Sequence, residues 1–544
     1  MVFRKKTQAS PLSASASSAA VATPAGGSSS SGLNGNSTLP VDAAVPSPAR
    51  KVVRDEDVLE RTPYHVLLTT YFAYLVLIIF AHMRDMLGKL FHPEDYAFLR
   101  ETNGYAPLVS DFESLWSRRL YRRIRDTFNR PITGVAGAYV TLLERLSYDY
   151  NETFKLTGNT TRVLNLSSYN YLGFGQNEGP CTDAVEMAIK HNGLTNASPR
   201  LEAGMTALLR EAEAQTARFM GTEDALVVSM GHATNSTTLP ALVSKGCLII
   251  SDELNHNSLV AGSRLSGATI RVFKHNNCKH LEKVLRTAIA QGQPRTHRPW
   301  KKILVIVEGL YSMEGNMVDL PGILALKDKY KFYLFLDEAH SIGALGRRGR
   351  GVCDYFGIDP RRVDVLMGTF TKSFGSAGGY IAGSRAMIEH LRVYNLSMSY
   401  AESVSVPVLQ QAISSMRIIG GDCAPALAAD GRRRLASLAY NAVYFSKGLR
   451  QRGFMVMGTE DSPVVPMLLY HPPKIAAFSR FMLEKKIAVV VVSYPATPIV
   501  TARVRFCLSA AHTKEDMDYA LEAIDEVGEK LMIKYDPGAA KEYA

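Results

Sequence analysis

The stretch VDVLMGTFTKSFGSAGGYIAG, residues 363–383, decides how the rest of the chain is read. It opens with an apolar run, Val363–Met367, that does not alternate with polar residues. Such a run suits a strand buried on both faces of a sheet. The run leads into Thr369, Thr371 and Lys372, then into a glycine-rich turn. A lysine in that place, partly desolvated and near another cation, loses proton affinity and can form a Schiff base with an aldehyde. Thr369 and Thr371 offer hydroxyls to a phosphate. Gly375, Gly378 and Gly379 let the backbone pass close to a bound group.

Thirty-five residues upstream, KFYLFLD ends in Asp337 and is followed by Glu338, Ala339 and His340. An aspartate at the end of a buried strand is costly to keep charged without a cationic partner. A protonated pyridine nitrogen is such a partner, and the pairing makes the ring a better electron sink. His340 could hydrogen-bond the ring's phenolic oxygen. Aldehyde, phosphate, pyridine and phenol together describe pyridoxal 5′-phosphate (PLP). The tetrapeptide DEAH is also the metal-binding box of a helicase class. That reading needs a loop G-x-x-x-x-G-K-[ST], and Thr371, not Gly, precedes Lys372. Further upstream, Ser229–His232 closes another apolar run with Gly231 and His232, a glycine-led helix start suited to an anion. SDELNHNSL then puts His256 after the next run, where an imidazole could stack on a flat ring.

Outward from these points the pattern is β/α. Apolar runs at 225–229, 247–251, 303–307, 333–336 and 363–367 alternate with amphipathic stretches such as 205–220 and 320–330. This predicts a mostly parallel sheet with helices on both faces, and chemistry beyond the carboxyl ends of its strands. After about residue 400 the texture shifts. A helical stretch around Arg432–Arg434 leads to short runs at 464–470 and 487–492 and a final helix over 514–534. The expected fold class is α/β, a large PLP-binding domain with a smaller C-terminal α+β domain and an N-terminal membrane helix. The boundaries are a disordered tail (1–60), a membrane-spanning or membrane-embedded helix (61–90), a linker with basic amphipathic helices (91–160), a large PLP-binding domain (161–400), a small domain (401–535) and a tail (536–544).

Residues 62–83, TPYHVLLTTYFAYLVLIIFAHM, carry no Asp, Glu, Lys or Arg and are about long enough to cross a bilayer as a helix. Acidic residues precede the run and basic ones follow it, which would put the C-terminal part in the cytosol. The preceding tail is rich in Ser, Ala, Gly and Pro and cannot offset its ordering entropy. The chain has 544 residues and a formal net charge of +11. Its basic residues are spread out, apart from Arg118, Arg119, Arg122, Arg123 and Arg125, which read as a solvated helix face or as a contact for anionic lipid or coenzyme A. No pattern points to nucleic acid. The six cysteines lie far apart with no Cys-x-x-Cys pair, against a zinc site or a disulfide framework; no metal is expected.

Taken together, NLSSYNYLGF, SDELNHNSL, VEGLYSMEG, LDEAHSIGALG, GTFTKSFG and VRFCLSAAHT resemble the α-oxoamine synthase family of fold-type I PLP enzymes, over about residues 160–535. RPWKKIL, SPVVP, VVVVSYPATP and TPYHVLLTTYFAYL resemble its membrane-bound, serine-using branch. The resemblance implies condensation of L-serine with a long-chain acyl-CoA, mainly palmitoyl-CoA, with loss of carbon dioxide. It implies Lys372 as Schiff-base lysine and Cα base, Asp337 at the ring nitrogen, His340 at the phenolic oxygen, and His256 stacked on the ring and helping to orient the serine carboxylate. It implies Gly231, His232, Thr369 and Thr371 around the phosphate, and Glu308 near the substrate. It further implies a sister subunit of the same fold lacking the lysine, small membrane regulatory subunits, and an endoplasmic-reticulum membrane. Related enzymes carry an Arg before a Pro-Pro-Thr-like turn to bind the substrate carboxylate. Here the turn reads Val492-Ser493-Tyr494-Pro495-Ala496-Thr497, so Arg505 is the substitute candidate. Leu209 stands where a His is common, and His232 where Phe or Tyr is. Two alternatives stay open, a relative using glycine and a non-catalytic scaffold, although Lys372 is present.

Overall fold

Runs that are apolar at every position form strands whose alternate side chains feed two different cores, and a computed structural model of the chain, which describes residues 62–539, has that arrangement. The N-terminal tail read as disordered and the last five residues lie outside the described part. Helix α1 (Tyr64–Phe91) comes first, followed by short helical turns and by β1 (Ile132–Thr133), β2 (Tyr139–Leu146) and β3 (Lys155–Asn165). Then α2 (Ala207–Met220), β4 (Asp224–Val228), α3 (Gly231–Leu242), β5 (Leu248–Asp252), α4 (Asn257–Leu265), β6 (Thr269–Phe273), β7 (Ile303–Glu308), α5 (Leu320–Tyr330), β8 (Tyr333–Asp337), β9 (Val365–Thr369) and β10 (Gly379–Gly383) build the central layer. The C-terminal part adds α6 (Pro425–Gln451), β11 (Val464–Leu468), β12 (Ile487–Ala488), β13 (Val490–Val492), β14 (Arg503–Cys507) and α7 (Lys514–Leu531).

The central sheet has seven strands in the order β4-β10-β9-β8-β7-β5-β6. On β7, Val305 and Val307 face one core while Leu304 and Ile306 face the other. On β8 and β9, Leu334, Leu336 and Leu366 join the first core, and Phe335, Val365 and Met367 the second. That two-sided burial is why the runs carry no polar alternation. β5–β9 are parallel, as expected. GGYIAG, read from sequence as part of a turn, is a strand: β10 lies antiparallel between β4 and β9. The reversal rests on Gly378 (φ +82°), where an added Cβ would stand 2.5 Å from the Val228 carbonyl oxygen. The run 487–492 divides between two sheets. β12 extends β3 in parallel, whereas β13 pairs antiparallel with β14 in a three-stranded β11-β14-β13 sheet.

Helix α1 is long and apolar enough to cross a membrane by length and composition. One stripe of it, Val66, Thr70, Tyr74, Ala81 and Asp85, is buried against the chain itself. Val66 packs with Met455, Met457, Leu468 and Tyr470. Tyr74 stacks on Trp116, which meets Tyr494 edge-on. The opposite side leaves Leu68, Phe72, Ile79, Phe80 and Leu90 exposed. Asp85 receives Arg118 (2.8 Å), Arg119 (3.1 Å) and Lys89 (3.2 Å). Arg122 and Arg125 bind the 149–152 turn. Most of the basic cluster is therefore neither a solvated face nor a free anion site: four of its five guanidinium groups serve internal partners. The sequence did not reveal this because Asp85 and the 149–152 turn lie some 25–35 residues away along the chain.

Candidate active site

Five strands that run in one direction, β4, β5, β7, β8 and β9, end in loops that present the polar side chains, and those loops share one edge of the sheet. β8 ends in Asp337, with His340 three residues on. β7 ends in Glu308, whose backbone is in register with Asp337 on the neighbouring strand. His256 stands between β5 and α4, capping the helix. Gly231 and His232 open α3 after β4. Thr369 closes β9, and Thr371 and Lys372 follow it.

Two acids side by side in a buried place compete for charge. Asp337 is 4% exposed and accepts from Asn235 Nδ2 (2.7 Å) and the Ala339 amide (2.8 Å). Glu308 accepts from the His256 amide, but burial, and then the charge of Asp337, push its pKa well above the usual carboxylate range. Glu308 thus holds a proton more tightly than a free carboxyl does. The half-buried side chain of Lys372 carries an ammonium whose desolvation outweighs the pull of Asp337 and Glu308. Its pKa falls to about 8. Its nitrogen lies 5.7 Å from the centre of the Tyr169 ring, and Tyr169 also meets His340 edge-on at 4.9 Å and the Arg505 guanidinium at 4.7 Å.

His340 is buried and pairs with the Tyr171 hydroxyl through Nδ1 (2.8 Å); burial, then Lys372 and Arg505, hold its pKa well below that of a free imidazole. His256 is open on one side, yet burial of the other, aided by Lys372, lowers its pKa as well. His232 sits 6.2 Å from it, centroid to centroid. Thr369 and Thr371 hydroxyls are 2.8 Å apart, and a Cβ added at Gly231 would come within 3.1 Å of the Thr369 hydroxyl. A helix start without a side chain and two hydroxyls make a cradle for a phosphate.

The ten candidates for cofactor or substrate binding (Gly231, His232, His256, Glu308, Asp337, His340, Thr369, Thr371, Lys372 and Arg505) belong to this one cluster. Arg505, from the middle of β14, reaches it from the C-terminal sheet, and its buried Nε has no hydrogen-bond partner among the described residues. Leu209, at the position where a histidine is common, is a core residue of α2, 1% exposed. Sequence reading missed Tyr169, Tyr171, Asn235 and Ser258. The first two lie within NLSSYNYLGF, Ser258 lies two residues after His256 in SDELNHNSL, and Asn235 lies four residues, about one helical turn, after Gly231. None carries a signal that separates a site residue from a packed one.

The residues fit PLP. A lysine of lowered pKa, an anionic aspartate at a strand end, a half-open imidazole and a glycine-threonine cradle answer to its aldehyde, ring nitrogen, ring face and phosphate. The buried Asn235 Oδ1, unpartnered among the described residues, leaves polar capacity beside Asp337. Fold and site thus define a fold-type I PLP transferase. The model of the family described as "Aminotransferase class I and II" matches residues 161–524. The chain is 56% identical to serine palmitoyltransferase 2 of Schizosaccharomyces pombe, over 88% of this chain and 79% of that one. It is 51% identical to serine palmitoyltransferase 2 of Saccharomyces cerevisiae (89% and 86%) and 51% identical to human serine palmitoyltransferase 3 (88% and 86%). Among solved structures, the serine palmitoyltransferase of Sphingomonas wittichii superposes with a TM-score of 0.68 at 27% identity, covering 79% of this chain and 100% of that one. A structure of SPT with the PLP internal aldimine also gives 0.68, at 26% identity (78% and 99%). The chain belongs to the serine palmitoyltransferase family, as a PLP-dependent acyltransferase.

Proposed function

We propose that the chain condenses L-serine with palmitoyl-CoA, with loss of carbon dioxide, to give 3-oxosphinganine. The observation that carries the reading is Lys372, of lowered pKa, beside Asp337, Glu308 and Arg505 at the carboxyl edge of the sheet. Bound PLP supplies an electron sink for the electron pair left at the amino acid's Cα. Lys372 would hold the cofactor, Asp337 pair with the ring nitrogen, His340 meet the phenolic oxygen and His256 cover the ring. Gly231, His232, Thr369 and Thr371 would hold the phosphate. Lys372, largely able to lose its proton near pH 8, takes the Cα proton of serine and returns one to the product carbon. Arg505, buried and with an unfilled donor, binds the serine carboxylate until it leaves as carbon dioxide. Glu308, whose burial favours its protonated form, would lie near the substrate.

The same reading includes a membrane surface. What supports it is the division of α1 into a stripe packed on the chain and an outer face of exposed Leu, Ile and Phe. A helix docked along its length on its own domain, with Asp85 under two arginines, lies in the interfacial layer and does not cross the hydrocarbon. The endoplasmic reticulum as host, the active site on its cytosolic side, a sister subunit without the lysine and small regulatory subunits complete the proposal. The test is product analysis by mass spectrometry. The purified chain, with and without its sister subunit, receives palmitoyl-CoA and either serine or glycine. 3-Oxosphinganine from serine, absent for Lys372→Ala, supports the reading; a product from glycine alone overturns it.

A further inference from the structure

Two buried polar groups form a single file between the Asp337 carboxylate and the His256 ring. Asn235 Nδ2 lies 2.7 Å from Asp337 Oδ2 and 2.9 Å from Ser258 Oγ. Ser258 Oγ lies 2.8 Å from His256 Nδ1, and the Ser258 amide donates to the same Nδ1 at 3.2 Å. Asn235 and Ser258 are each 1% exposed, so water does not compete for these bonds.

The direction of each bond in the file is fixed from its two ends. A carboxylate only accepts, so the atom of Asn235 facing Asp337 is the NH2 group; turning the amide over would set oxygen against oxygen. That NH2 spends its second hydrogen on Ser258 Oγ. At the other end the Ser258 amide can only donate, so Nδ1 is an acceptor and the serine hydroxyl gives its hydrogen to it. Nδ1 thus takes two donors, the hydroxyl and the amide of Ser258, and has no room for a hydrogen. The proton of the neutral ring must sit on Nε2, away from the buried serine and on the open side of the ring. The backbone is built to keep this file short. Gly262 of α4 lies against α3, where an added Cβ would stand 2.8 Å from the Asn235 carbonyl oxygen and 3.0 Å from Ser236 Cα. Any side chain there would lever α4, and Ser258 with it, away from Asn235.

We infer that Asn235 and Ser258 are positioning residues that hold His256 in its Nε2–H form, a fixed hydrogen-bond donor toward the carboxylate of the bound amino acid. The inference rests on the serine reading given above. Asp337 then acts twice, once toward the cofactor and once, through two relays, on the tautomer of the histidine that faces the substrate. A ring free to carry its proton on either nitrogen would present an acceptor to the carboxylate part of the time.

The test is the dissociation constant of L-serine for the PLP-loaded enzyme in its native complex, read from the shift of the visible cofactor band without acyl-CoA. Ser258→Ala weakens serine about tenfold, the scale of one hydrogen bond to a charged group. Ser258→Thr, which keeps the hydroxyl, stays within about threefold. In a His256→Phe background, which has a ring but no donor, Ser258→Ala adds less than about twofold, because its effect runs through the histidine. A wild-type constant in Ser258→Ala, or the same tenfold loss on top of His256→Phe, overturns the inference. Should Ser258→Ala fail to take up PLP, Ser258→Cys, a weak donor, replaces it: serine binding weaker than in Ser258→Thr supports the file, and equal binding contradicts it. A wild-type enzyme whose band does not respond to serine, but does to glycine, defeats the serine reading instead.

Discussion

Two clusters in this protein bury acid next to base, and they are finished differently. At the foot of α1, Asp85 is met by Arg118, Arg119 and Lys89. One anion is over-supplied with donors, and the pairing fixes the helix to the domain. At the carboxyl edge of the sheet, Asp337 and Glu308 stand on adjacent strands, Lys372 is held at a pKa of about 8, and Arg505 keeps an unpartnered Nε. Each cluster keeps one buried guanidinium Nε unbonded among the described residues, Arg118 in the first and Arg505 in the second, but the first pairs its cations with acids while the second sets two acids against each other. Paired charge is an anchor; mutually perturbed charge is a site waiting for a ligand.

Substitutions at the two aspartates should separate these roles. Asp337→Asn is expected to leave folding intact and to slow exchange of the serine Cα proton by about two to three decades, the scale of one charge-assisted interaction made in the transition state. Exchange followed by mass spectrometry in deuterated water measures it, and an unchanged rate would break the comparison. Asp85→Ala is the mirror image. It leaves Arg119 without its acid and Arg118 with Asp111 alone, at about 2–3 kcal/mol of helix docking. Cleavage within α1 by a protease should rise by up to about two decades, with the cofactor band unmoved.

The lysine gives a smaller, pH-dependent effect. Its ammonium form cannot attack an aldehyde, and the neutral fraction rises with pH through about 8. The rate at which the cofactor-free chain develops its visible PLP band should therefore climb about tenfold from pH 7 to pH 9 and level off. A midpoint near 10.5, the ordinary lysine value, would mean that the pocket does not desolvate Lys372. Smallest of all is Glu308→Gln. Burial raises the pKa of Glu308 and so favours its protonated form, and the amide oxygen of glutamine can still accept from the His256 amide. Turnover within about threefold of wild type sharpens the account; a loss of two decades would mean that Glu308 works as an anion or passes a proton.

How much of this was legible depends on the distance over which each signal acts. The parallel strands were readable because burial on both faces leaves only apolar residues, and Lys372 and Asp337 stood out because a strand end is a costly place for charge. β10 was hidden: GGYIAG holds the glycines of a turn and the apolar residues of a strand, and only the seat between β4 and β9 decides between them. Arg118 and Arg119 looked like surface charge because their partner, Asp85, belongs to a helix that reads as apolar. Asn235 and Ser258 could not be told from ordinary helix residues, since their meaning lies in a bond polarity that starts at Asp337, about a hundred positions away.

The most direct test of the whole account is to find where PLP is attached. The purified, PLP-loaded protein is reduced with borohydride, digested, and its peptides sequenced by mass spectrometry. The account predicts a single phosphopyridoxyl group, on Lys372 within GTFTKSFG. The same group on another lysine, or a protein that reduces without retaining it, would contradict the site.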